Sequence, residues 1–334
     1  MAKAIVTGAN GFIGARLVRR LLERGWQVAA LGRAKGQQCW NDRVKASLDD
    51  ITGIPVDHNL LSGLFCYDAN ICRRGLDLSR LFLEHWRASK AVLFHVAGDT
   101  QFSSTDPDAQ TQVNITGTLN VMRALRDVIR SAVHVSTAYV AGDRQGVILE
   151  DETDKGQTCR NTYEKSKLDT EVMVSDLCCQ LGLPLAIVRP FIVINDTTTG
   201  RSSVLTHLNK VVEVINRVQK HYKIGDEEVV NEELRIPILA DCRPNLVPVD
   251  SIVESFLEIG IHPRLRDEPI TFATLIHSPT KRSFLSLRRP LTSKIRSICS
   301  LFRHFPKIPP GPRRLCSDRS NRTSRISMKC VSSI

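Results

Sequence analysis

Three glycines at three-residue intervals, in the run Thr7-Gly8-Ala9-Asn10-Gly11-Phe12-Ile13-Gly14, constrain the fold of this chain more than any other feature. Ahead of them Ala4 to Thr7 reads as a short buried strand. Behind them Ile13, Leu17, Val18, Leu21 and Leu22 recur at the spacing of one helix face. Gly25 then closes the segment as a helix-terminating glycine does. Glycine spacing by itself is a weak signal. A glycine run placed between a strand and a helix is specific, because each position has a mechanical task. Gly8 permits the tight turn, Gly11 lets backbone approach a pyrophosphate, and Gly14 lets the helix pack closely on the strand. The helix start contributes unpaired N–H groups and the positive end of its dipole. The run is therefore a candidate dinucleotide cradle, with Gly8, Asn10, Gly11, Phe12, Ile13 and Gly14 as its contacts.

The remaining periodicity fits the same architecture. Gln27–Leu31, Ala91–Val96, Ala132–Ser136 and Leu185–Arg189 read as strands, with helices expected over about 109–129 and 161–181. AVLFHV is a continuous apolar run of the kind a parallel strand buried on both faces requires. Alternating strands and helices predict an α/β class, a doubly wound parallel sheet (Rossmann fold) with its ligand at the carboxyl ends of the strands. Between about 38 and 90 the pattern is poor, and only connections are assigned there. After Pro190 the chain is irregular, with helices expected at Ser203–His221 and Asp250–Ile259. The expected organisation is 1–190 as the nucleotide-binding domain, 191–280 as a small substrate subdomain interleaved with it, and 281–334 as a basic tail outside the core.

Charge supports that division. The formal net charge of +11 resides in the tail, where 14 Lys and Arg from Lys281 onward face one acid, Asp318. The preceding 280 residues carry 32 basic and 34 acidic side chains, so a nucleic-acid or membrane-surface reading could rest only on the tail. Its abrupt loss of acids is what an off-frame or truncated end would produce. A basic arm with Leu285, Leu287, Leu291, Ile295 and Ile298 interleaved is the rival reading. The ten cysteines show no metal-ligand spacing and read as reduced thiols. With no leader sequence and no long apolar run, a cytoplasmic protein without a transmembrane segment is expected.

The cofactor choice turns on the end of the second strand. An acid there would bond a ribose 2′-hydroxyl, but Val28-Ala29-Ala30-Leu31 continues into Gly32-Arg33. Arg33 can pair with a 2′-phosphate that an acid would repel, so NADPH is expected over NADH, with Arg16 or Lys35 as possible helpers.

Tyr163-Glu164-Lys165-Ser166-Lys167 places Tyr163 and Lys167 four apart, on one helix face. A phenol is a poor acid or base at neutral pH, and a neighbouring ammonium favours its ionised form. The turn His134-Val135-Ser136-Thr137-Ala138-Tyr139-Val140-Ala141-Gly142 supplies hydroxyls at a strand end, where they can bond a carbonyl oxygen. Spacing does not choose between Ser136 and Thr137. His95 reads as a core histidine bonded to backbone, and Cys178-Cys179 as two buried helix thiols.

The glycine turn, HVAG, Asn114-Ile115-Thr116-Gly117-Thr118, STAYVAG, YEKSK and Arg189-Pro190 stand in the order found in extended short-chain dehydrogenase/reductases. Over roughly residues 1–275 the chain most resembles the thioester reductase and fatty acyl-CoA reductase ("male sterility") branch, to which TGANGFIG, STAYVAG and Pro248-Val249-Asp250 point. The resemblance implies Thr137 as the acting hydroxyl, Tyr163 as proton donor, and Lys167 as holder of the nicotinamide ribose and tuner of Tyr163. It implies that Ala97, Gly98 and Pro190 to Val193 line the cofactor and that Asn114 supports the site. It implies an NADPH-dependent reductase acting on a carbonyl, foremost an acyl thioester on coenzyme A or an acyl carrier, giving an aldehyde or an alcohol. The same core serves epimerases, dehydratases, hydroxysteroid dehydrogenases and dihydroflavonol-type reductases, and a cofactor-binding protein without turnover is a third reading. Three departures stand out. Only Asp57 is on offer where relatives place a Gly-Asp after the third strand, Asn195-Asp196 replaces an expected Gly-Asp or Gly-Glu, and the tail matches nothing in the family.

Overall fold

The structure, a computed structural model, describes residues 1–102, 106–200 and 245–262, and the backbone of 271–276. Seven parallel strands form one sheet: β1 (Lys3–Thr7), β2 (Gln27–Gly32), β3 (Leu64–Asp68), β4 (Ala91–His95), β5 (Ile129–Val135), β6 (Leu185–Pro190) and β9 (Thr271–Ile276). Their spatial order is β3-β2-β1-β4-β5-β6-β9. The order reverses between β1 and β4, and such a switch point opens a crevice at the strands' carboxyl ends. A second, two-stranded ladder joins β7 (Ile192–Ile194) to β8 (Leu246–Pro248).

The central strands are largely apolar because both of their faces are covered. Ala4, Val6, Val28, Ala30, Val92, Phe94, Val133, Ala186 and Val188 face one core. The intervening Ile5, Ala29, Leu31, Leu93, Ala132, Leu185 and Ile187 face the other. This is the period-two alternation of a strand, with both positions buried. On the first face lie α1 (Phe12–Glu23), α2 (Trp40–Thr52) and α8 (Val249–Ile261). The short helix α3 (His58–Leu61) also borders that face. On the second lie α4 (Arg80–Trp86), α6 (Gly117–Leu125) and α7 (Thr162–Leu181). Helix α5 (Pro107–Thr111) runs into α6 through one π turn at Gln112–Thr116, so the helical stretch expected over 109–129 is continuous across Asn114 but ends at Leu125, and Ile129 already begins β5.

The stretch 38–90, assigned only as connections, contains α2, α3, β3 and α4. Trp40, Val44, Leu48 and Ile51 bury one face of α2, and the Trp40 indole N–H donates to the Ala30 carbonyl at 2.9 Å. Strand β3 ends at Asp68, in register with Gly32, so Asp68 rather than Asp57 terminates the third strand. Asp57 instead caps α3 by accepting from the Asn59 N–H. The division at 190 is crossed by packing, since α8 joins the core of α1 and β9 pairs with β6. The helix expected at Ser203–His221 and the tail 281–334 lie outside the described residues.

Candidate active site

Gly8 and Gly14 hold the cradle closed. Gly8 has φ of +70°, and a Cβ on it would stand 2.7 Å from the Ala97 nitrogen. A Cβ on Gly14 would stand 2.0 Å from the Gly8 carbonyl oxygen, a distance no side chain tolerates. Helix α1 starts at Gly11 with no side-chain cap and no acid in its first turn. The first N–H groups of a helix have no partner within the helix, and here neither a side-chain cap nor an acid in the first turn meets them. Ala97 sits directly against this turn, Gly98 lies beside Asn114, Pro190 is the last residue of β6 and Val193 lies in β7. The Asn10 carbonyl accepts from the Ser47 hydroxyl at 3.1 Å, which ties the turn to α2.

Arg33 is exposed just past β2. Arg43 of α2 lies over the Trp40 ring at 5.5 Å and donates to the Arg33 carbonyl at 2.5 Å. Arg33 and Arg43 thus both lie at the strand end where an acid is missing. Arg43 went unnoticed in the sequence because it lies in the unassigned stretch, although Trp40, Val44, Leu48 and Ile51 carried a readable helix period. Arg16, a suggested helper, is turned elsewhere: it is 4% exposed, stacks on Phe12 and faces Asp196 at 3.7 Å. Asp196 caps the next turn through the Thr198 and Thr199 N–H groups, and Asp250 holds Thr197, so the Asn195-Asp196 loop is anchored on both sides.

Thr137, Tyr163 and Lys167 converge at the carboxyl end of β5. Thr137 is the residue before a short 3₁₀ turn, and its hydroxyl accepts from the Tyr139 N–H at 3.3 Å and is hydrogen-bonded to Tyr163. Ser136, the alternative, buries a hydroxyl that has no hydrogen-bond partner among the described residues. Asn161 caps α7 through the Glu164 N–H at 2.9 Å and so sets where Tyr163 and Lys167 fall. Lys167 is buried and its ammonium donates to the Val135 carbonyl at 2.8 Å. Desolvation lowers its pKa to about 8, against a raising influence of Glu171. Burial pushes the Tyr163 phenol up to about 12, opposed by the Thr137 bond. This is the reverse of the lowering expected from Lys167, because desolvation of the buried phenol dominates.

Asn114 braces these parts. Its side chain accepts from the Asp99 N–H at 2.8 Å and donates to the Asp99 carbonyl at 3.0 Å and the Ser166 hydroxyl at 2.9 Å. Phe102 packs on both Tyr139 and Tyr163, with ring centroids 5.6 and 5.4 Å apart, and forms an apolar wall beside the phenol. Beside the turn at Ala138–Ala141, Arg189 and Glu171 form a buried ion pair at 2.6 Å. His95 is bonded to the Thr7 and Thr118 hydroxyls rather than to backbone, which corrects the expectation for it. Among the described residues no cluster of His, Cys, Asp or Glu is placed to hold a metal ion, and no helix is long and apolar enough to cross a membrane.

A family model described as "Male sterility protein" matches residues 6–256. UDP-glucose 4-epimerase of Mus musculus is 30% identical over 184 residues, 53% of this chain and 49% of the epimerase. Cinnamoyl-CoA reductase 1 of Oryza sativa subsp. japonica is 30% identical over 194 residues, 55% of this chain and 51% of that enzyme. The chain spans about half the length of the curated relatives it matches. The terminal R domain from the myxalamid PKS-NRPS biosynthetic pathway superposes with a TM-score of 0.67 at 22% identity, covering 82% of this chain and 65% of that one. That likeness is one of fold.

Proposed function

The chain belongs to the male sterility protein family, within the extended short-chain dehydrogenase/reductases, and on that premise we propose that it is an NADPH-dependent reductase of acyl thioesters. The observation that carries the reading is the Thr137–Tyr163 hydroxyl pair, with Lys167 on the same helix, at the open end of a glycine cradle. When bound, the nicotinamide supplies a hydride to the carbonyl carbon. Thr137 and Tyr163 bond the carbonyl oxygen as negative charge develops on it. Because burial keeps the phenol protonated at neutral pH, the Tyr163 hydroxyl has a proton to give to that oxygen. Collapse of the resulting adduct releases a thiol and an aldehyde. Lys167 would exchange its bond to Val135 for the ribose hydroxyls and place its charge under Tyr163.

Arg33 and Arg43 support the choice of NADPH, since two guanidinium groups suit a 2′-phosphate and neither suits a bare hydroxyl. Asp68, at the end of β3, takes the place in which relatives meet the adenine. The apolar wall at Phe102 and Tyr139 suits an acyl tail, and residues 191–280 are assigned to the substrate side, with an acyl carrier as one donor of the thioester. The likeness to UDP-glucose 4-epimerase supports a second reading, in which bound cofactor is recycled without net reduction.

Titration with NADPH and NADH, followed by NADPH loss on adding a long-chain acyl-CoA, tests the assignment. Preferential NADPH binding with acyl-dependent oxidation is expected. Tyr163→Phe should abolish turnover while leaving NADPH binding nearly intact. Unchanged turnover in that variant would refute the role of Tyr163. Cofactor that copurifies and never exchanges would favour the epimerase reading.

A further inference from the structure

His95 and His134 lie side by side in the middle of the sheet, paired in register on β4 and β5 with rings stacked 5.4 Å apart. Both are fully buried, and burial drives both towards the neutral form, His95 to about 3. Their hydrogen bonding is opposite. Among the described residues neither ring nitrogen of His134 has a partner. Both nitrogens of His95 do: Nδ1 meets the Thr7 hydroxyl at 2.7 Å and Nε2 meets the Thr118 hydroxyl at 2.9 Å.

Every proton in this arrangement can be placed. The Thr118 hydroxyl stands 2.6 Å from the Asn114 carbonyl, which only accepts, so the Thr118 proton lies there. Thr118 must then accept from His95, which puts the imidazole proton on Nε2. The ring being neutral, Nδ1 holds a lone pair and takes the Thr7 proton. The Thr7 oxygen in turn accepts from the Ala97 N–H at 3.3 Å. One chain of bonds, all pointing the same way, runs from Ala97 through Thr7, His95 and Thr118 to Asn114. Its first end abuts the cradle, where Ala97 lies against Gly8. Its second end is the π turn, and Asn114 there bonds Ser166, between Tyr163 and Lys167, while its carbonyl also accepts from Thr170. π turns inside helices recur at functional sites, where they free a carbonyl from the helical ladder.

We propose that His95, as the Nε2–H tautomer, is a positioning residue that sets the cofactor cradle and the catalytic helix α7 in one register, so that a change at either end is felt at the other. The proposal rests on the assignment of α7 as the catalytic helix, but its test reads the ground state and needs no acyl substrate. Coupling between sites is reciprocal in binding free energy. Thr118→Val removes a hydroxyl next to Asn114 and far along the chain from the cradle, yet should raise the NADPH Kd about fivefold or more. Thr118→Ser keeps the hydroxyl and should restore it. His134→Leu, which removes the ring without a bonded partner, should leave the Kd within about twofold.

On the unaltered protein, ¹⁵N NMR of the histidine rings should show one buried imidazole protonated at Nε2 that does not titrate near pH 6.5. A Thr118→Val protein that binds NADPH as the parent does would overturn the coupling, whatever its melting temperature. An Nδ1–H tautomer at His95 would overturn the chain of bonds even if Thr118→Val failed to fold. A parent that binds NADPH but reduces no thioester leaves both readouts valid, whereas one that binds no NADPH overturns this proposal and the functional reading together.

Discussion

Glu171→Gln is the substitution whose cost the structure specifies best. Glu171 is 0% exposed and Arg189 is 2% exposed. Arg189 Nε donates to both carboxylate oxygens at 3.0 and 3.1 Å, and Nη2 donates to one at 2.6 Å. The amide keeps the volume but removes the charge and half of the acceptor capacity, leaving a buried guanidinium uncompensated. Breaking one side of a buried pair costs about 3–5 kcal/mol, a large share of the roughly 5–15 kcal/mol that holds a domain folded. At about 2–4 °C per kcal/mol for a chain of this size, the melting temperature should fall by about 6–20 °C. The damage should reach the site. Arg189 also donates to the Glu150 carbonyl at 3.3 Å and the Thr153 hydroxyl at 3.4 Å, and with Thr153 lines a small pocket under Ala138, Val140 and Ala141. Urea unfolding and thermal melts by circular dichroism measure the loss. The double variant Glu171→Leu with Arg189→Met should recover most of it, because the pair's desolvation offsets much of its attraction. A Glu171→Gln protein within about 1 kcal/mol of the parent would refute the reasoning, since an uncompensated buried charge costs more than that.

Three further outcomes are expected. Lys167→Met should be more stable than the parent at pH 7 by on the order of 2 kcal/mol, because a lysine whose folded pKa is about 8 binds its proton less well folded than unfolded. The parent should regain the difference as pH rises from 8 towards 10.5, and denaturation at pH 7 and pH 10 that showed a constant gap would contradict this. Gly14→Ala, whose Cβ would meet the Gly8 oxygen at 2.0 Å, should weaken NADPH binding about tenfold or more by isothermal titration, with its far-UV spectrum retained. Parent-like affinity would remove Gly14 from the cradle. Arg43→Ala should weaken NADPH about 10–100-fold and barely change NADH, the loss expected for a charge-assisted bond to phosphate. Equal losses for both cofactors would place Arg43 away from the 2′-phosphate.

What the sequence determined by itself was local. The glycine turn, the buried strands and the Tyr163-Lys167 face are each written within a few consecutive residues, as a period of two or of 3.6 or as glycines where backbone must crowd. Helix α7 was legible almost to its cap, since Asn161 and Gly182 mark its ends chemically. In the stretch 38–90, β3 is an edge strand with only partly buried side chains, so its weak apolar signal hid Asp68, whereas α2 and its Arg43 carried a readable helix period at Trp40, Val44, Leu48 and Ile51. Spacing left Ser136 and Thr137 open and the family resemblance pointed to Thr137; the backbone path after β5 is what turns the Thr137 hydroxyl to Tyr163 and buries that of Ser136. Tertiary structure alone set the Tyr163 and Lys167 pKa values, which follow from burial, and drew Lys167 to the Val135 carbonyl. The partners of His95, on β1 and α6, lie 88 and 23 residues away, and Arg189, the partner of Glu171, lies 18 away on β6, on elements that meet only when the fold forms. No periodicity encodes such contacts, because a buried polar group is satisfied by whatever the fold brings within about 3 Å of it.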